Sequence, residues 1–246
     1  MEYAIYTPRE RAPGDPLLVA VLGSSSRRLT HIEALVESCE RSGVVLLAPA
    51  MATPDAAPFQ QLGRGAQRSD LFLHQCLREL NFLCDIDVAR FRLLGYSGGA
   101  QFGHRYLMAY PDRVEGAVLA AAGWYTFPDT SQRFPHGIRS TRRLPGLAFN
   151  PEAYLRVPVT VVIGAEDTDP ARMRSSARID AQQGSSRLER ARRWVAAMQA
   201  QAQAHGLQPQ VDLLEVAGVG HSFKALCEHG AILDQAIPAR SRRVEH

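Results

Sequence analysis

Short apolar runs alternate with longer amphipathic stretches along the whole chain, and this alternation limits the fold more than any other feature. Seven segments read as strands: "EYAIYT" at 2–7, "PLLVAVLG" at 16–23, "VVLLAPA" at 44–50, "FRLLGYS" at 91–97, "VEGAVLAAAG" at 114–123, "VPVTVVIGA" at 157–165 and "QVDLLEV" at 210–216. Several are apolar almost without interruption, the pattern of strands covered on both faces. The first has the character of an edge strand. The stretches between them repeat with the helical period. "THIEALVESCERSG" places Ile32, Leu35, Val36 and Cys39 on one face, opens on a Thr30–Glu33 capping box and stops at Gly43. A helix from Ser69 to Phe82 aligns Leu73, Cys76, Leu77 and Leu80, and another follows Ser97 and ends before Pro111. Residues 187–205 align Leu188, Ala191, Val195, Met198 and Ala202. A short helix is expected near 222–235, a polar loop at 170–187, and an irregular aromatic segment at 124–152. The pattern predicts an α/β fold with a mainly parallel central sheet of about seven strands flanked by helices. Only some thirty residues separate the fifth strand from the sixth, too few for a full helical cap, so the expected lid is minimal.

The 246 residues show no internal repeat and no linker, and are expected to form one domain, 1–246. Twenty-eight basic residues against 25 acidic give a net charge of +3, too balanced to imply nucleic acid or an anionic membrane as partner. The basic clusters "STRRLP" at 140–145, "RLERARR" at 187–193 and "ARSRR" at 239–243 are expected to be solvated faces. No apolar run reaches membrane-spanning length. The opening "MEYAIYTPRERAPGDP" lacks the apolar core of a leader, so a cytoplasmic protein is expected, although a trimmed secreted form would look the same. The four cysteines form no CxxC pair and the eight histidines no HxxxH pair, so neither a metal nor an organic cofactor is expected. Cys39 and Cys76 lie on apolar helix faces and read as buried free thiols.

The chemistry is carried by "RLLGYSGGAQFG" at 92–103. Ser97 follows a strand and precedes a helix, with Gly95 and Gly99 two positions to either side. A sharp strand-to-helix turn crowds those neighbours and lifts the serine oxygen above the sheet toward a helix N-terminus. A serine hydroxyl needs a base to become a nucleophile, and the base needs a carboxylate to orient it. Both follow in chain order, each just past a strand: "VTVVIGAEDTDP" supplies Asp167, three residues beyond Gly164, with Asp169 as competitor and Glu166 at the surface; "VDLLEVAGVGHSF" supplies His221. A parallel sheet delivers such side chains to its C-terminal edge, where ligands bind in open α/β sheets. His104 reads as a surface or helix-packing residue.

Together "GYSGG", "GAEDTDP" and "GVGHSF", with the strand "LLVAVLGSS", make the chain resemble an α/β-hydrolase over about residues 2–235. "DIDVARFRLLGYSGG" is similar to the nucleophile approach of lidless esterases of the polyhydroxyalkanoate depolymerase and feruloyl esterase kind. The resemblance implies a serine hydrolase acting on a carboxylic ester, small or at a polymer end. It implies backbone oxyanion donors at Ser24, or alternatively Ser25, and at Gly98. Leu22-Gly23 stands where many members have His-Gly; the donors are main-chain N–H groups, so the hole does not need that histidine. By the same resemblance Trp124, Tyr125 and Phe127 pass near the active site and, with Phe223 beside His221, either line the substrate pocket or plug an irregular loop. Thioester, lactone and peptide cleavage use the same residues. A rival expectation is a non-catalytic relative that binds a ligand or partner.

Overall fold

The computed structural model describes residues 2–10, 15–23, 28–51, 59–65, 67–142, 144–170 and 173–237. In chain order the elements are β1 (Tyr3–Tyr6), β2 (Leu17–Leu22), α1 (Arg28–Ser42), β3 (Val45–Pro49), α2 (Ser69–Cys84), β4 (Phe91–Tyr96), α3 (Gly98–Ala109), β5 (Val114–Ala120), α4 (Pro151–Tyr154), β6 (Val159–Gly164), α5 (Ala177–Gln183), α6 (Arg187–Ala204), β7 (Val211–Val216), α7 (Phe223–Glu228) and α8 (Leu233–Ala236). The seven strands form one sheet in the order β1-β3-β2-β4-β5-β6-β7. β1 runs antiparallel at the edge against β3, and all other pairs are parallel. Every residue of β2 and β3 is buried, as expected where helices cover both faces of a parallel sheet. Between β5 and β6 the described residues carry only the single turn α4, so no helical cap intervenes there.

The strand order fixes where a site can form. From β2 the chain steps to β3 on one side, then crosses to β4 on the other. At that reversal the connections leaving β2 and β4 diverge and open a crevice at the C-terminal ends of the strands. Leu22 pairs with Tyr96, so Gly23 and Ser97 emerge side by side at its floor. Helix α3 then packs back across β2, β4 and β5. Ala100, Phe102, Gly103, Tyr106 and Leu107 face inward, and the buried residues of sheet and helices form one contiguous core.

Three local expectations are corrected. Helix α1 already includes Arg28, so Thr30 and Glu33 lie inside it and form no capping box. The segment 170–187 carries a helix, α5, rather than only a loop. Ser176 caps it by accepting from the Ile179 N–H at 3.3 Å, and its buried face is Ile179 and Gln183. Gln183 accepts from the Tyr125 N–H and donates to the Tyr125 carbonyl, both at 2.8 Å, clipping the aromatic segment to α5. Finally, the cluster 187–193 is a solvated face only in part: Arg192 and Arg193 are exposed, but the other two arginines are not. Arg187, Arg190 and Trp194 fall on the same stripe of α6 as Leu188 and Ala191, and all are buried. Arg190 is made tolerable there by four acceptors, the carbonyls of Gly184, Gly123 and Arg174 and the Asp180 carboxylate.

His104 proves to be a core residue. Its Nδ1 bonds the Ala100 carbonyl at 2.9 Å and its Nε2 accepts from the Thr126 N–H at 2.8 Å. Burial, with Arg105 next to it, holds its pKa well below the ordinary histidine range. The imidazole is therefore neutral and ties α3 to the chain leaving β5.

Candidate active site

Ser97 stands at the junction of β4 and α3 with φ 52° and ψ −113°, a strained conformation for a residue with a side chain. The surroundings hold it there. The Ser97 N–H donates to the Ala120 carbonyl at 2.8 Å, and its carbonyl accepts from Gln101 at 3.2 Å. A Cβ on Gly95 would lie 2.6 Å from the Ala100 Cα, and one on Gly99 would overlap the Val21 carbonyl oxygen in β2. Those glycines let helix and sheet approach closely enough to make the turn. Gly99→Ala should therefore be one of the most damaging single-methyl additions in the molecule, costing about 3 kcal/mol or more by overpacking against backbone that cannot yield. Chemical denaturation would read this as a lowered midpoint, and a wild-type midpoint would show that β2 and α3 can separate without cost.

The acid and the base arrive from the far side of the sheet. Gly164 pairs with Val216 across β6 and β7, so the loops leaving both strands start level. They are laced together by Ala165 N–H to the Val216 carbonyl and Glu166 N–H to the Val219 carbonyl, each 2.9 Å. A side chain at 164 would overlap the Val219 carbonyl. In this arrangement His221 Nδ1 lies 2.7 Å from Asp167 Oδ2, and His221 Nε2 lies 3.2 Å from Ser97 Oγ. Glu166 and Asp169 are exposed on the outside of the same loop, so Asp167 rather than Asp169 faces the histidine.

Asp167 is only 2% exposed, and a buried carboxylate needs its charge answered. Two features answer it. Arg187 Nη1 donates to Oδ1 at 3.1 Å, and the first turn of α6 points at the loop, with the Leu188 N–H on the Asp167 carbonyl. Because an ionised carboxylate only accepts, the bond to Oδ2 places a proton on His221 Nδ1 and leaves the Nε2 lone pair directed at Ser97. The imidazole side chain is 31% exposed. Its inner face stacks on Tyr96, with centroids 5.4 Å apart, and Tyr96 in turn meets Phe223 edge-on at 5.0 Å.

Of the two expected oxyanion donors, Ser24 and its alternative Ser25 lie outside the described residues. Gly98 is the first residue of α3, where helix N–H groups have no intrahelical acceptor. Gly23 lies against it: a Cβ there would be 3.4 Å from the Gly98 nitrogen.

Of the four aromatics expected either to line a pocket or to plug an irregular loop, most pack against the core, Phe127 half-buried among them. Tyr125 has no exposed surface and stacks on Trp194 at 4.9 Å; it belongs to the core. Phe223 is buried beneath Tyr96 and His31 and supports the ring under His221. Trp124 is almost fully covered, with Arg105 4.3 Å above its ring centroid. A rigid aromatic is as useful for holding a neighbour as for meeting a ligand, and sequence does not separate the two. Arg187 was missed, although its place on the apolar stripe of α6 signals a buried side chain.

Among the described residues no three His, Cys, Asp or Glu side chains come together to hold a metal ion, and no helix is long and apolar enough to cross a membrane.

No protein-family model matches the sequence, and no curated protein matches it either. Solved structures do. LpqC, a poly(3-hydroxybutyrate) depolymerase from Bordetella parapertussis, superposes with a TM-score of 0.75 at 24% identity, over 93% of this chain and 81% of that one. Poly(aspartic acid) hydrolase-1 from Sphingomonas sp. KT-1 gives 0.78 at 21% identity, over 93% and 90%. Est1E from Butyrivibrio proteoclasticus gives 0.57 at 16% identity, over 94% and 91%. With the seven-stranded order, the glycine-flanked serine turn and the two loops that follow β6 and β7, these likenesses show that the chain has the α/β-hydrolase fold.

Proposed function

We propose that the protein is a serine hydrolase that cleaves carboxylic esters through an acyl-enzyme intermediate. The observation that carries this reading is the continuous row Ser97 Oγ–His221–Asp167, at 3.2 and 2.7 Å, at the topological switch of the sheet. His221 Nε2 takes the serine proton as Oγ attacks the ester carbonyl. The Gly98 N–H, with that of Ser24 or Ser25, receives the charge developing on the carbonyl oxygen. His221 then returns the proton to the leaving alcohol. Water, deprotonated by the same nitrogen, releases the acid. Asp167, fixed by Arg187, orients the imidazole and stabilises its charged form. Support also comes from two structural neighbours, a poly(3-hydroxybutyrate) depolymerase and Est1E, which has been solved with ferulic acid bound. Among the described residues no helical cap lies between β5 and β6, which suits a small ester or a polymer end.

The test is a panel of p-nitrophenyl esters of increasing acyl length alongside labelling with a fluorophosphonate. We expect one label per chain and saturable ester turnover. Folded protein that neither takes the label nor turns over any ester would favour the ligand-binding rival.

A further inference from the structure

Two turns beyond Ser97 on α3, Arg105 is completely buried. Its Nε donates to Thr126 Oγ1 at 2.8 Å, and its Nη1 donates to the carbonyls of Gln60 at 2.7 Å and Gln101 at 3.0 Å. Its Nη2 is buried with no hydrogen-bond partner. No carboxylate among the described residues pairs with this guanidinium. A second cation bears on it: Arg174 is exposed, and the two arginines both lie against Trp124, 4.3 and 5.7 Å from its centroid. Burial and Arg174 lower the Arg105 pKa to about 9, so the group is still charged at neutral pH. An uncompensated buried cation with an idle donor is costly to fold around. The other buried arginines of this molecule, Arg187 and Arg190, each have an aspartate. Arg105 does not, which points to an anion that arrives with a ligand.

The position connects this group to the chemistry. Eight residues of helix span about 12 Å, and the side chain leans back along α3 to reach Gln101, so its charge lies on the order of 10 Å from Ser97. Gln60 bridges the interval. Its backbone carbonyl holds Arg105, and its side-chain amide lies beside Gly98.

We propose that Arg105, with Trp124 and Arg174, forms a subsite for a carboxylate on the substrate, so that the preferred esters carry an anionic group several bonds from the scissile carbonyl. This rests on the reading of Ser97 as the nucleophile. With Nε and both Nη1 contacts already used, Arg105 offers a single donor edge at Nη2, and Arg174 supplies a second from the rim. A planar, singly charged acceptor with two oxygens fits that pair.

The experiment compares matched p-nitrophenyl esters of equal acyl length, one ending in a methyl group and one in a carboxylate, from four to eight carbons. It reads the ratio of their kcat/KM values. In the wild type the carboxylate ester should be preferred about tenfold or more at the best length, and the preference should shrink with added salt. Arg105→Gln should bring the ratio to unity or below, and Arg174→Ala should reduce it part of the way. Because the ratio is internal to each variant, mere structural damage at Arg105 would lower both rates and leave the ratio standing; that result overturns the subsite. So does a wild-type ratio at or below one for every length. If Arg105→Gln does not fold, Arg174→Ala decides, and an unchanged ratio in that surface variant counts against the proposal. Turnover without preference refutes the subsite alone, whereas no turnover of either ester and no fluorophosphonate labelling refutes the hydrolase reading beneath it.

Discussion

Ser97→Ala should abolish fluorophosphonate labelling and lower ester turnover by at least about a thousandfold, with a loss nearer a millionfold where the row Ser97–His221–Asp167 acts as one unit. The variant is informative because little else depends on the hydroxyl. Ser97 precedes α3, yet its side chain makes no capping bond to that helix, so removing Oγ takes nothing from the helix end. Alanine retains the Cβ and so leaves the strained φ of 52° unrelieved; the turn is held by Gly95, Gly99 and the Ala120 carbonyl in either case. Stability should therefore stay within about 0.5 kcal/mol of the wild type. What disappears is the atom 3.2 Å from His221 Nε2. Activity at the wild-type rate in a folded Ser97→Ala protein, or a label that attaches elsewhere at the same rate, would place the nucleophile outside this turn.

The five inner strands, β2 to β6, were readable in the sequence because a buried parallel strand must be apolar on both faces; the edge strands β1 and β7 were readable from their short apolar runs and their place in the alternation. The serine turn was readable for a related reason: Gly95 and Gly99 are imposed by backbone contacts that any side chain would violate. What could not be read depends on packing between distant segments. Tyr125 and Trp124 follow β5 as any pocket aromatic would, and only the stack on Trp194 and the clip from Gln183 show that Tyr125 faces inward. The arginines of α6 looked like surface charge because arginine usually is. The burial of two of them, Arg187 and Arg190, becomes sensible once Asp167, Asp180 and the Gly184 carbonyl are seen to converge on them. Helix α5 was hidden by a polar composition, since a seven-residue helix needs only Ile179 and Gln183 on its inner face.

The same convergence favours one of the two candidate acids. Asp167 accepts from two donors at once, His221 Nδ1 through Oδ2 and Arg187 Nη1 through Oδ1. Asparagine can accept through one atom only, and its amide nitrogen must then face the other donor. If the amide nitrogen turns to His221, Nδ1 has to give up its proton, the tautomer flips, and Nε2 carries a hydrogen toward Ser97 where a lone pair is needed. If it turns to Arg187, two donors meet in a buried site. Either way Asp167→Asn should lower kcat by about a thousandfold to ten-thousandfold. It should also cost stability, about 3 kcal/mol, because Arg187 is left as a buried cation without its carboxylate. Asp169→Asn lies on the exposed side of the loop and should cost about tenfold or less through loop adjustment. Initial rates of both variants on one activated ester, measured well below the denaturation midpoint of each, would separate the loss of chemistry from the loss of fold. A crippled Asp169→Asn beside an active Asp167→Asn would move the acid to Asp169 and leave the 2.7 Å contact to His221 without a catalytic part.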